Sequence, residues 1–271
     1  MRMGHPGTVP GMTPDQREQA AEALWNAERE REPIGPLTLD HPGMDVVDAY
    51  EIQLINIRKR LAEGRLIRGH KVGLSSKAMQ EMMGVDEPDY GHLLDDMFVF
   101  EDDEVDTASL CYPRVEVEVG FILGSSLPAP GCNAADVLRA TEYIVPAIEI
   151  IDSRIRDWKI SLCDTIADNA SSCRVVLGAR ATRIDQVDLR TVGATLRRNG
   201  TVIATGSSGA VLGNPVTAVA WLANKVHAFG VRLEAGHVVL PGSCTRAYDV
   251  ATGDNIRADF DTLGGVSINF K

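Results

Sequence analysis

Glu116 and Glu118 stand two residues apart in the segment Pro113-Arg114-Val115-Glu116-Val117-Glu118-Val119-Gly120-Phe121-Ile122. Its β-branched residues predict a strand. Side chains alternate along a strand, so the two carboxylates share one face with Cα atoms about 7 Å apart. Val115, Val117 and Val119 line the other face. Two like charges on one face of an interior strand are unfavourable unless something positive lies between them; a solvent-facing edge strand would give the same alternation. Glu149 is a single carboxylate inside the apolar run Ile144–Ile151, where an acid is expected to be paired or metal-bound. Three carboxylates without a His or Cys cluster suit a hard, oxygen-preferring ion, Mg²⁺ or Mn²⁺ rather than zinc. Such a site leaves coordination positions for water and a chelating substrate.

Other polar residues are ambiguous by themselves. Lys71, in Gly69-His70-Lys71-Val72-Gly73-Leu74, reads alone as a solvated strand lysine, and Asp89, in Pro88-Asp89-Tyr90-Gly91, as a turn residue. Asn169 and Ser171 follow an apolar element in a polar run and read alone as a cap or turn. Arg154 and Arg156 could hold a substrate carboxylate bidentately or pair with Asp152 or Asp157. His70 and His92 read as structural. Ser207-Ser208-Gly209 lacks the GxSxG setting of a nucleophile elbow, and no GxGxxG or P-loop supports nucleotide binding.

The elements that must position these groups fall into two parts. Thr13, Pro14 and Gln16 predict a helix start, with a helix to about Glu30 carrying Ala20, Ala21, Leu24 and Trp25 on one face. After a Pro- and Gly-bearing stretch, a second helix is expected from about Val46 to Glu63, its apolar stripe being Val47, Tyr50, Leu54, Ile57 and Leu61. Residues 1–12 are expected to be a disordered tail, 13–64 an N-terminal helical subdomain, and 65–271 a β-rich catalytic core. Strands are expected at 66–74, 97–101, 114–123, 143–151, 174–177, 238–240, 255–261 and 266–270. Asn199-Gly200 predicts a hairpin between strands 191–198 and 201–206. Asn214 and Pro215 cap a helix to Phe229 that Gly230 should end.

The chain has 271 residues, 44% hydrophobic, and a net charge of −11, which speaks against nucleic acid as a partner. Five scattered cysteines without a CxxC pair predict neither disulfides nor a zinc site. Without the apolar run of a signal peptide or a membrane span, a cytoplasmic protein is expected.

The ordered set Gly69–Leu74, Pro88–Gly91, the Glu-x-Glu strand, Asp152–Trp158, Asp164–Ser172 and Val211–Pro215 resembles the fumarylacetoacetate hydrolase superfamily. Within it, the chain is most similar to the 2-oxopent-4-enoate (2-hydroxypenta-2,4-dienoate) hydratases, from about residue 40 to the C-terminus. The resemblance implies an α+β fold with a mixed β-roll core and an N-terminal helical subdomain. It implies a metal held by Glu116, Glu118 and Glu149, Lys71 and Asp89 in acid–base roles, and Asn169 and Ser171 near the substrate's carboxylate. The expected reaction is addition of water to a small 2-hydroxydienoate from ring cleavage, giving a 4-hydroxy-2-oxo acid. A sister family, the 2-oxo-3-hexenedioate (4-oxalocrotonate) decarboxylases, resembles the chain almost as well; the run Ser153–Trp158 favours the hydratases. Acylpyruvases are less similar, because Ser75–Gly84 lacks their histidine. A homo-oligomer, able to associate with a decarboxylase or aldolase of the same pathway, is expected. A non-catalytic partner subunit would have no need of the intact set of acids and lysine.

Overall fold

The computed structural model describes residues 11–271. The expected tail lies outside the described residues apart from Gly11 and Met12, and Met12 is buried with its N–H donated to Asp48 at 3.0 Å. Helix α1 (Pro14–Glu30) starts at a reciprocal cap: Gln16 N–H donates to the Thr13 hydroxyl, and Thr13 N–H donates to the Gln16 side chain. The Pro- and Gly-bearing stretch contains a single helical turn, α2 (Leu37–Asp40). Helix α3 (Val46–Ala62) is capped by Asp45, and its buried face keeps Tyr50, Leu54 and Ile57 of the expected stripe but extends toward Ala49, Ile52 and Gln53. Val47 and Leu61 are 54% and 39% exposed instead. The cause is Gln53, whose amide reaches inward to donate to the carbonyls of Tyr90 and Ile166.

The remaining helices are α4 (Lys77–Met83), α5 (Ala134–Ala140), α6 (Leu162–Ala167) and α7 (Pro215–His227). The strands are β1 (Ile67–Gly73), β2 (Asp89–Leu94), β3 (Phe98–Val99), β4 (Glu104–Val105), β5 (Pro113–Leu123), β6 (Thr141–Asp152) and β7 (Ser172–Leu177). They continue with β8 (Gly193–Arg198), β9 (Thr201–Ser207), β10 (Val238–Leu240), β11 (Tyr248–Asp249), β12 (Asn255–Phe260) and β13 (Gly264–Phe270). The β8–β9 hairpin turns on Asn199 and Gly200, both at positive φ. Pro88-Asp89-Tyr90-Gly91, which reads alone as a turn, leads into the fully buried β2, where Tyr90 stacks on Tyr50. One expectation needs correcting. The strand expected at 97–101 shrinks to Phe98–Val99, since a 3-10 turn occupies Asp95–Met97 and Phe100 faces solvent.

An eight-stranded, curled sheet runs in the order β2-β1-β10-β5-β6-β7-β3, with β11 on β5; a five-stranded sheet runs β4-β13-β12-β8-β9. The fold is α+β, with helices ahead of the sheet. Register decides what each face carries. Lys71 pairs with Gly91 and Leu240, Glu116 with Glu149, Glu118 with Ala147, and Gly73 with Asp89. Partners in register share a face, so Lys71, Asp89, Glu116, Glu118 and Glu149 all project from one side of the sheet. Deeper on that side, Leu93, Ala147, Val175, Val238 and Leu240 form a small apolar cluster that closes one end of the roll. The opposite side carries Val115, Val117, Val119, Ile148 and Ile150 into the main core, which also takes Ile256, Val266 and Ile268 of the second sheet.

The parallel β1–β10 joint sets the lysine strand beside the rest of the roll, and it depends on Gly69, where a Cβ would lie 1.9 Å from the Val238 carbonyl oxygen. Main chain cannot yield as a side chain can. Gly69→Ala is therefore expected to cost about 3 kcal/mol, the upper range for overpacking, read from the urea midpoint. An unchanged midpoint would refute this account of the joint.

Candidate active site

Glu116 and Glu149 are directly opposed across the antiparallel β5–β6 pair, and Glu118 lies diagonally, opposite Ala147. Glu118 and Glu149 are fully buried and Glu116 is partly exposed. One carboxylate oxygen from each of the three can be chosen so that all lie within 4.8 Å of one another. Like charges facing each other across strands repel. Glu118 Oε2 accepts from Gly242 N–H at 2.7 Å, whereas Glu118 Oε1 and both oxygens of Glu149 have no hydrogen-bond partner. Buried carboxylate oxygens without donors, converging on one point, are the donor set of a hard divalent cation.

Lys71 is the cation the fold itself supplies. Its ammonium group is buried, 3.4 Å from Glu149 Oε2, and donates to the Ala170 carbonyl at 3.0 Å. Burial alone would lower its pKa, but Glu149, Glu116, Asp89 and Glu118 together outweigh burial and hold it above the usual lysine range. One lysine cannot neutralise four acids, so the acids remain displaced too. Burial raises Glu116 and Glu118, and it pushes Glu149 up to about 7 against the opposing pull of Lys71. Asp89 is raised by burial, with Lys71 and the Thr165 hydroxyl working against the shift. Its Oδ1 has no hydrogen-bond partner. Gly73 makes room for it: a Cβ there would lie 2.1 Å from Asp89 Oδ1.

The acceptor for Lys71 sits on an unusual piece of backbone. Asn169, Ala170 and Ser171 all have positive φ, between 50° and 55°, a left-handed turn that costs non-glycine residues about 1–2 kcal/mol each. Asn169 does not enter the cavity. Its amide is bonded to the main chain of His92, accepting from the N–H at 2.8 Å and donating to the carbonyl at 2.9 Å. Ser171 does line the cavity, and its buried hydroxyl has no partner.

Arg154 is not available to a substrate, and its partner is neither Asp152 nor Asp157. Its guanidinium binds the Asp168 carboxylate at 2.5 Å and the carbonyls of Asp152, Ser172 and Asp168. Asp152 instead accepts from the N–H groups of Cys111 and Tyr112. Arg156 donates to the Pro33 carbonyl. His70 and His92 lie behind the lysine strand, fully buried, with burial lowering both pKa values. Ser208 is also structural, donating to the Leu189 carbonyl.

Lys71, Asp89 and Glu116 open onto a cavity of about 400 Å³, with Glu118 and Glu149 buried behind them. Beyond the ionisable floor its walls are largely apolar, with Val72, Leu74, Met79, Ile151, Trp158 and Ile160. Sequence reading missed Arg114, which also lines it, two residues toward the mouth from Glu116. The signal was present: Arg114 continues the Glu116–Glu118 alternation by one step. Thr165 was missed as well, since only the three-dimensional fold brings it to Asp89.

The fumarylacetoacetate (FAA) hydrolase C-terminal family matches residues 71–270. The 2-oxo-hept-4-ene-1,7-dioate hydratase of Escherichia coli is 42% identical over 256 residues, covering 92% of this chain and 96% of that protein. The 2-keto-4-pentenoate hydratase of Paraburkholderia xenovorans is 42% identical over 260 residues, covering 96% and 97%. Among solved structures, 4-oxalocrotonate decarboxylase from Pseudomonas putida G7, complexed with magnesium and adipate, superposes with a TM-score of 0.92 at 40% identity, covering 96% and 99%.

Two outcomes are expected from this site. At neutral pH a raised Glu149 is partly protonated in the metal-free protein, so Mg²⁺ binding releases protons and its affinity weakens as pH falls below about 7. Calorimetric titration in two buffers of different ionisation enthalpy should give different apparent heats; identical heats would contradict it. Arg154→Met leaves Asp168 buried and unpaired, and should lower the unfolding free energy by about 3–5 kcal/mol. A loss below about 1 kcal/mol would mean that the network is dispensable.

Proposed function

The chain belongs to the fumarylacetoacetate hydrolase family, in its hydratase and decarboxylase branch, and on that premise we propose that it hydrates 2-hydroxypenta-2,4-dienoate or a slightly longer 2-hydroxydienoate. It is a metal-dependent enzyme of ring-cleavage catabolism that hydrates or decarboxylates a small 2-oxo or 2-hydroxydienoate acid. The observation that carries the finer reading is a buried Lys71–Asp89 couple beside three carboxylates, facing a cavity with apolar side walls. Hydration of a dienol needs a group that moves protons, and a five-carbon monoacid has an apolar tail to place.

Glu116, Glu118 and Glu149 would hold the divalent ion. When bound, the ion supplies Lewis-acid polarisation of the substrate's C2 oxygen and a template for its C1 carboxylate. Lys71, charged and fixed by Ala170, balances the acids and directs an N–H into the cavity. Asp89, with an unpartnered oxygen and a pKa raised by burial, holds the proton that goes to C5 as the 2-hydroxyl proton is lost. The 2-hydroxyl proton passes to a cavity water and is returned at C3 as the enone takes the oxygen of the attacking water at C4, and Asp89, now a carboxylate, accepts the proton that the attacking water gives up. Ser171 would face the substrate's carboxylate, whereas Asn169 acts as a positioning residue, fixing the turn that carries Ala170 and Ser171.

A second reading, decarboxylation of 2-oxo-3-hexenedioate, is favoured by similarity to the P. putida decarboxylase. The two reactions separate in one experiment. Ultraviolet loss of freshly generated 2-hydroxypenta-2,4-dienoate, with Mg²⁺ or Mn²⁺ and with EDTA, should be rapid, metal-dependent and yield 4-hydroxy-2-oxopentanoate. No loss, with CO₂ released from 2-oxo-3-hexenedioate, would replace the hydratase by the decarboxylase. Asp89→Asn should lower kcat by about 10²–10⁴-fold while Mg²⁺ affinity stays within about threefold. Near-full activity would remove Asp89 from the proton transfers.

A further inference from the structure

We infer that the Arg114–Asp249 pair at the cavity mouth is a charge-selectivity device, in which Asp249 sets the site for a substrate whose far end is uncharged. The inference rests on the hydratase reading, in which the cavity takes a metal-chelating monoacid; 2-oxo-3-hexenedioate, the substrate of the decarboxylase reading, carries a second carboxylate at its far end.

The direction of the substrate follows from the roll. Glu118 is the deepest of the three acids, Glu116 is partly exposed, and Arg114 follows on the same strand face. Below Glu118 the apolar cluster around Leu93, Val175 and Leu240 closes the interior. An acid held at the carboxylates therefore extends toward Arg114. Two strand residues advance about 7 Å, which matches an extended five- or six-carbon acid, so its terminal group arrives beside the guanidinium.

That guanidinium is already engaged on two sides. Strand β11 pairs with β5 so that Asp249 is directly opposite Arg114, and Asp249 Oδ1 accepts from Arg114 Nε at 2.7 Å. Trp158 covers one face of the guanidinium, 4.4 Å from ring centroid to Cζ. The indole is fixed by its own N–H, donated to the Tyr112 carbonyl at 3.0 Å, and by left-handed backbone at Asp157 and Trp158. The edge containing Nε is one that a carboxylate grips bidentately. On that edge a second carboxylate would have to displace Asp249 or lie against it, and like-charge juxtaposition selects against such ligands; Arg246, the other cation of the lining, is stacked on Tyr248, 4.5 Å from ring centroid to Cζ. An uncharged tail meets Ile151, Ile160 and the indole instead.

The test uses two unreactive saturated analogues, 2-oxohexanoate and 2-oxohexanedioate, titrated calorimetrically into the Mg²⁺-loaded full chain. Wild type should bind the monoacid more tightly. Asp249→Asn, an isosteric change at an exposed position, should shift the Kd ratio toward the diacid by about three- to fivefold, the range of a solvent-screened charge. The double variant Arg114→Gln with Asp249→Asn should bring the ratio back to within about twofold of wild type. A wild-type preference for the diacid, a ratio unmoved in Asp249→Asn, or a shift that survives in the double variant would each overturn the inference. Because neither analogue turns over, this outcome is read independently of whether 2-hydroxypenta-2,4-dienoate is hydrated.

Discussion

Burial of like charge is the constraint around which the molecule is organised. Two glutamates face each other across the centre of the sheet, a third lies diagonally, and two of the three are removed from water entirely. Nothing in elementary energetics favours that arrangement in the protein alone. It is tolerable because cations share the space: one lysine built into the fold and one divalent ion for which three unbonded carboxylate oxygens wait. The rest of the architecture serves that balance. The curl of the sheet brings β1 and β2 round to the acids, and the apolar floor keeps bulk water from entering behind them.

Holding the lysine requires a second departure from ordinary chain behaviour. Three successive non-glycine residues adopt left-handed backbone so that one carbonyl can meet the ammonium group. Such a turn is unfavourable by itself and persists because it is gripped from both sides. Asn169 clamps it to β2, and Arg154 and Asp168 clamp the chain immediately before it. Arg154, which the sequence left open between a substrate carboxylate and an ion pair, and Asn169, which the resemblance set near the substrate, are thus parts of one brace.

This explains which features were legible in the sequence. The Glu-x-Glu strand and the lone Glu149 could be read because alternation and burial act locally, residue by residue. The caps at Thr13 and Asn214 and the hairpin turn at Asn199-Gly200 were legible for the same reason. Residues whose surroundings come from distant segments were not. Asp89 looks like a turn residue until Gly73 and Thr165 are set against it. The orientation of α3 depends on Gln53 finding carbonyls far away in the chain. Arg154 needed Asp168, fourteen residues on, to reveal its partner.

The roll also separates what is fixed from what is free to vary. The acids and Lys71 sit in central strands packed on both faces, where almost any replacement disturbs several neighbours at once. Trp158 lies on an irregular segment and Asp249 on a two-residue strand open to solvent. Single substitutions at the rim can therefore change which acids fit while Lys71 and the three glutamates stay as they are. A lineage built this way can change its diet of acids without reinventing its chemistry.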